Sequence, residues 1–202
     1  MYLLTETASP FALERWAAFF ANFGQFAKGF FYTLGISIGA LIVALLLGLI
    51  FGAMSSTHNK VLRGISRVYV EIFQNTPLLV QFVVVFYGIS ILTDGHVMIP
   101  ISLTAILCVG VYTGAYISEI IRTGIEAVPK GQTEAALSQG FTYADTMRII
   151  ILPQAVRTIL PPLTNQVVNL IKNTSTVAII SGADIMFLSL IHISEPTRRV
   201  VI

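Results

Sequence analysis

Charge is what this chain has least of. Aspartate, glutamate, lysine and arginine together make up 11% of its 202 residues, against about 25% in soluble domains. With 55% hydrophobic residues and a mean hydropathy of +0.81, that deficit excludes an ordinary soluble domain and points to a polytopic membrane protein. Cysteine is nearly absent. Cys108, in an apolar run, can form no disulfide within the chain, and a lone buried thiol is usually inert packing. The four lysines are followed by Gly29, Val61, Gly131 and Asn173. A phosphate-binding loop ends in lysine followed by serine or threonine, so no ATPase site is expected, and no cofactor is assigned to the chain. His58, His96 and His192 are scattered and have no cysteine cluster beside them, which argues against a metal site. No nucleophile and base are assembled. No basic stripe with interleaved aromatics suggests nucleic acid.

What is present is a series of apolar runs. Residues 1–28 carry Glu6, Glu14, Arg15 and Lys28 with Trp16, Phe19, Phe20, Phe23 and Phe26. This reads as an extracytoplasmic, interfacial segment with aromatics at headgroup level. It has no positive start, apolar core and cleavage site, so a removable signal peptide is not expected. Residues 29–54 contain no charge and exceed the roughly 20 residues a helix needs to cross a bilayer core of about 30 Å. Within this first span, Gly35 with Gly39 and Gly48 with Gly52 are spaced i, i+4. Such pairs let helices approach closely, but glycine is also simply common in membrane helices. Residues 69–92 form a second span with Pro77 in its first turns, and residues 101–118 a third. Residues 155–162 are expected to bend rigidly at Pro161-Pro162, because the residue before a proline avoids the helical region. A fourth span over residues 163–180 is interrupted by Asn165, Gln166, Asn169, Lys172, Asn173, Thr174, Ser175 and Thr176. Polar groups at that depth are costly unless they face a partner or water. Asn169, Lys172, Thr174 and Ser175 are therefore candidates to line a translocation path. The alternative is that Lys172 snorkels and the hydroxyls bond their own backbone. The fold class expected is an all-α polytopic helix bundle of four spans.

Between spans three and four lies the longest polar stretch, EAALSQGFTYADTMRIIILP, residues 134–153. Pro129 suits the first turn of a helix, and Glu134, Ala135, Ala136 and Leu137 continue it. Gly140 fits just past the helix end. Thr142 with Asp145 resembles a capping box that starts a second helix, and Pro153 limits or kinks the chain beyond it. The pattern is a helix–glycine–helix hairpin over residues 129–153.

Glu134, Ala135, Ala136, Gly140, Ile150, Leu152 and Pro153 keep the spacing of the EAA signature, and the chain thereby resembles the integral membrane permeases of ABC importers. VEIFQNTPLLVQ, AYISEIIRTGI and LIKNTSTVAII resemble the polar-amino-acid branch of that family. Gln74 stands where arginine is frequent, Thr123 where glycine is common and Asn173 where aspartate is frequent. The resemblance implies a permease domain over residues 29–189, in a family that normally has five spans. Its hairpin is implied to be cytoplasmic and to dock on a separate ATPase subunit through Glu134, Ala135, Ala136, Gly140, Ile150, Leu152 and Pro153. ATP is implied to bind to that partner. The other implied partners are a second permease subunit, a periplasmic or lipid-anchored amino-acid-binding protein and the bilayer. Residues 190–202, with Pro196, Arg198 and Arg199, cannot span and are expected to be a non-native tail on a truncated chain.

Lysine and arginine favour the cytoplasmic side. Lys60, Arg63 and Arg67 follow span one, and Arg122, Lys130, Arg148 and Arg157 follow span three. The turn after span two has none. The expected topology is a multi-pass bacterial inner-membrane protein with its N-terminus outside and the hairpin inside. A permease for another small solute remains open. A secondary transporter would need an inverted repeat and embedded ion ligands, and no repeat is evident.

Overall fold

A computed structural model describes residues 20, 23–180, 185, 186 and 188. The described residues are almost wholly helical and contain no strand. Trp16, Phe19 and the tail 190–202 lie outside them. In chain order the elements are α1 (Phe23–Ser55), α2 (Lys60–Asn75), α3 (Leu78–Val83), a π-helical turn (Val84–Gly88) and α4 (Ile89–Leu92). After them come α5 (Ile101–Glu126), α6 (Lys130–Ser138), α7 (Tyr143–Asp145), a second π-helical turn (Thr146–Ile151), α8 (Leu152–Asn173) and a 3-10 segment (Thr174–Ile180).

α1 has 33 residues, about 50 Å at 1.5 Å per residue. It begins at Phe23, so it takes in the last six residues of the segment expected at the interface. α1 and α5 are long and apolar enough to cross a membrane, and the bent pair of residues 60–92 makes a third crossing if counted as one span. The expected fourth span, residues 163–180, is not among them: its polar residues leave it less apolar than the others, and helix α8 starts earlier, at Leu152.

α1 and α5 run parallel and form the main packed pair. Their seam is built on glycine. A Cβ on Gly39 would meet Ile106 at 2.9 Å, one on Gly48 would meet Ile117 at 2.4 Å, and one on Gly52 would meet Ile121 at 2.8 Å. From the other side, Gly110 faces Val43 and Gly114 faces Leu47. The close-approach reading therefore holds for Gly39, Gly48 and Gly52. Gly35 faces open space. The core around this seam contains Ile36, Ala40, Ala44, Ala105, Cys108, Val109 and Ile117. Phe82 from α3, Leu170 from α8 and Val177 and Ile180 beyond it complete the core.

The second span is not one rod. α2 and the segment 78–92 meet at 98°. Pro77 has no N–H to donate, and Thr76 before it takes an extended conformation (φ −102°, ψ 124°), as a residue before proline must. The carbonyls this break frees are met by a buried side chain: Gln81 Nε2 donates to Phe73 O at 3.1 Å and to Thr76 O at 3.0 Å. The segment expected to be a basic loop after span one is thus mostly helix α2, started by Asn59, whose Oδ1 accepts from the N–H groups of Val61 and Leu62.

Two further expectations are corrected. α5 does not stop at Ser118 but runs to Glu126. Arg122 bonds Glu119 and Glu126 one turn to either side, which offsets one of the two negative charges along the last turns of that helix. The rigid bend at Pro161-Pro162 does not occur either: α8 passes through both prolines. Each proline removes one backbone bond, and burial of Leu170 and Ala155 in the bundle holds the rod together around them.

The two glycine environments make opposite predictions. Gly48→Leu should overpack the α1–α5 seam, at a cost of about 1–3 kcal/mol, and lower the thermal midpoint of the detergent-solubilised protein. Gly35→Ala should leave that midpoint unchanged or raise it, because alanine is the better helix residue by about 0.5–1 kcal/mol.

Candidate functional site: a helical hairpin at one end of the bundle

Parallel α1 and α5 place Ser55, the start of α2, the end of α5 and the start of α8 at one end of the molecule. A Cβ on Gly124 near the end of α5 would meet Ile159 near the start of α8 at 2.3 Å. The two basic segments read from the sequence therefore share one end, with the hairpin, while Asp94 and Gly95 turn the chain at the other.

Pro129 sits just before the hairpin's first helix, with extended backbone (φ −56°, ψ 132°), not inside its first turn. Its carbonyl accepts from Gln132 N at 2.9 Å and so starts the helix ladder. α6 ends in a Schellman arrangement. Gly140 N donates to Leu137 O at 3.0 Å, and Phe141 N donates to Ala136 O at 3.1 Å. The geometry requires a left-handed residue, and Gly140 has φ +86°. Thr142 then starts α7: its Oγ1 accepts from Asp145 N at 3.2 Å and donates to Asp145 Oδ2 at 2.5 Å. This is a variant of the capping box, in which the acid binds the capping hydroxyl.

The second arm is not a short helix. α7, the π-helical turn and α8 form one continuous helical stretch from Tyr143 to Asn173. Pro153 neither ends it nor stands alone as a kink. Its ring would clash with the carbonyl four residues back, which belongs to Ile149. That residue lies in the widened turn Thr146–Ile151.

The signature residues divide by face. Ala136 is 3% exposed, and α6 packs on the Thr146–Ile151 turn, so this alanine joins the hairpin to itself. Glu134, Ala135, Gly140, Leu152 and Pro153 are exposed, and Ile150 is half-buried. Leu137, Tyr143 and Ile149 add exposed apolar area on the same element. Sequence reasoning missed Thr146 and Ile151, which are buried under α6. It also missed His58, whose ring meets Tyr143 edge-on at 5.2 Å and ties the α1–α2 connection to the hairpin. No local sequence signal marks that contact, because it joins residues far apart in the chain.

The α8 candidates separate too. Asn169 and Lys172 are exposed, one turn apart, and Asn165 lies on the same face. Thr174 is buried at 1% exposure and donates to Ile171 O at 2.7 Å. Ser175 is exposed and donates to Lys172 O at 2.7 Å. Both hydroxyls bond their own backbone, and Thr174 faces the core. Gln74, quoted for its departure from arginine, donates to Ala115 O at 3.2 Å. Its role in this fold is to hold α2 on α5. Among the described residues no group of three or more histidine, cysteine or acidic side chains could hold a metal.

Residues 44–195 match the family model described as "Binding-protein-dependent transport system inner membrane component". The chain belongs to that family. The match includes the first residues of the tail expected to be foreign. A probable glutamine ABC transporter permease protein of Bacillus subtilis (strain 168), GlnM, is 41% identical over 171 residues, covering 83% of this chain and 76% of the relative. The glutamate/aspartate import permease protein GltJ of Escherichia coli (strain K12) is 36% identical, covering 80% and 70%. A crystal structure of an amino acid ABC transporter with histidines superposes with a TM-score of 0.81 at 33% identity, covering 90% of this chain and 83% of that one. An inward-facing MetNI methionine ABC transporter structure superposes with a TM-score of 0.65 at 18% identity, covering 80% and 76%, a likeness of fold. The chain is a multi-pass inner-membrane transport component, as the resemblance implied.

The hairpin's dependence on a left-handed residue is measurable. Gly140→Val should loosen the turn, since a left-handed backbone costs a branched side chain about 1–2 kcal/mol, and should speed limited proteolysis near Gln139. Gly140→Asn should cleave at nearly the wild-type rate.

Proposed function

We propose that this chain is the permease subunit of an ATP-driven importer of polar amino acids, coupled to a separate ATPase through its hairpin. The observation that carries the reading is the hairpin's exposed face, Glu134, Ala135, Gly140, Leu152 and Pro153, presented at the bundle end that also gathers the basic residues. Basic residues favour the cytoplasm, which supports a cytoplasmic hairpin, within reach of an ATPase subunit, and an N-terminus outside. The names of the relatives support the substrate class.

In this reading a binding protein delivers the amino acid outside, and a second permease subunit, identical or related, completes the pathway. Two ATPase subunits bind ATP and grip the hairpins. Ala135 leaves room for close docking, and Glu134 offers a carboxylate to a basic residue of the groove. Ile150, Leu152 and Pro153 shape the second arm. Because that arm continues into α8, hairpin motion becomes motion of the rod that carries Asn169 and Lys172. Those exposed polar groups face the path, with Ser175 at its edge. The transition is a shift between two arrangements of packed rods.

The test is reconstitution with the ATPase and binding protein. Uptake of labelled amino acid should require ATP inside the vesicle, and the ATPase should co-purify with the permease. Gly140→Trp should lower both co-purification and uptake at least tenfold. Uptake that persists without ATP and follows an ion gradient would reject the reading in favour of a secondary transporter. Competition by a panel of unlabelled solutes separates polar amino acids from another small solute. A cysteine at Gln139 should be labelled only from the cytoplasmic face.

A further inference from the structure

A second polar feature lies at the hairpin end, outside the hairpin. A cavity of about 560 Å³ opens between the end of α1, the inner face of α2 and the end of α5. Six charged side chains line it: Arg63, Arg67 and Arg122 against Glu71, Glu119 and Glu126. The signs cancel. In a chain so short of charge, this is a concentrated and neutral set.

Most of these groups are already committed. Arg122 bonds Glu119 through Nε and Nη2 and Glu126 through Nη1. Arg63 Nη2 donates to Thr57 O at 2.9 Å. Of the uncharged lining groups, Ser66 Oγ donates to Phe51 O at 2.8 Å and Gln74 Nε2 to Ala115 O. Arg67 and Glu71 are the most loosely held, although the charge of Arg67 also acts on the Glu119 carboxylate. Their one contact is 3.6 Å, and their side chains are 80% and 64% exposed. An exposed pair of this kind is worth about 0–1 kcal/mol, so opening it costs little. Opened, it offers a guanidinium fork that matches a carboxylate and, one helical turn away, a carboxylate that matches an ammonium.

We propose that this cavity binds a free zwitterionic α-amino acid, its carboxylate on Arg67 and its ammonium on Glu71, in place of the ion pair those side chains make with each other. A ligand of one charge would leave one of the two partners unmatched, and the neutral lining gives no net attraction to either sign. Val70 and Ile125 are the only large apolar side chains among the lining residues, so the site reads the main-chain groups of the ligand and discriminates little among side chains. The site belongs to α2 and α5 and is separate from the α8 face that carries Asn169 and Lys172.

Equilibrium binding of radiolabelled L-glutamine to the detergent-solubilised transporter, without its binding protein, tests this. Saturable binding is expected, with N-acetyl-L-glutamine and L-glutamine amide each competing at least tenfold more weakly than L-glutamine. The Arg67→Gln/Glu71→Gln double variant should lose affinity at least tenfold, and the Asn169→Ala/Lys172→Ala variant should keep it. Absence of saturable binding, equal competition by either blocked analogue, or loss only in the α8 variant would overturn the proposal. The analogue comparison uses the wild-type protein and so does not depend on whether the double variant folds. ATP-dependent uptake is a separate measurement, and its outcome leaves this one standing.

Discussion

A backbone carbonyl freed inside a lipid-embedded bundle must find a donor, and this fold is arranged around one place where that demand is acute. The right-angle turn at Pro77 takes donors out of the α2–α3 ladder, next to the buried side chain of Gln81. Gln81 supplies both missing bonds. The same economy fixes α2 against its neighbours: Ser66 reaches Phe51 O, Tyr69 reaches Val111 O at 2.7 Å, and Gln74 reaches Ala115 O. Three polar side chains thus staple a bent element onto two straight ones, while Gln81 braces the bend itself.

The staples work only because α1 and α5 lie close. Gly114 is where the two requirements meet. A Cβ there would stand 2.8 Å from the Tyr69 hydroxyl and 3.1 Å from Leu47, so the seam and the staple both need that position empty. Tyr69 also stacks on Phe51 of α1, centroids 4.0 Å apart, which makes it the point where α1, α2 and α5 are joined. Apolar contact alone gives little direction to helices surrounded by equally apolar lipid. Glycine depth and side-chain-to-carbonyl bonds supply the specificity that hydrophobicity does not.

How much could be read from the sequence depends on how local each feature is. The hairpin turn was legible because Gly140 and Thr142 act within four residues of themselves. The apolar spans α1 and α5 were legible for the same reason, since length and the absence of charge decide them. The prolines were not. Pro77 breaks its span fully, while Pro161 and Pro162 lie within a helix that continues. The difference rests on the tertiary partners of each site, Gln81 in one case and the buried flank of Ala155 and Leu170 in the other. Ala136 marks the limit: next to Ala135 in sequence and equally small, it is buried, and only the packing of α6 on the Thr146–Ile151 turn decides which alanine is offered outward.

The continuity of the second arm bears most on mechanism. From Tyr143 to Asn173 there are 31 residues of helix, about 46 Å at 1.5 Å per residue, with no loop between the hairpin and the polar face at Asn169 and Lys172. A load on the hairpin would travel to that face along the helix itself, without passing through a chain of side-chain contacts. The rod has two softer places, and both come from proline: the widened turn before Pro153, and the carbonyls of Arg157 and Thr158, which Pro161 and Pro162 cannot pair. Both lie nearer the hairpin than the polar face does. Bending there would let the hairpin shift while the core contacts of Leu170 and Val177 stay packed, so the far end of the rod would move only when the displacement exceeds what those two places absorb.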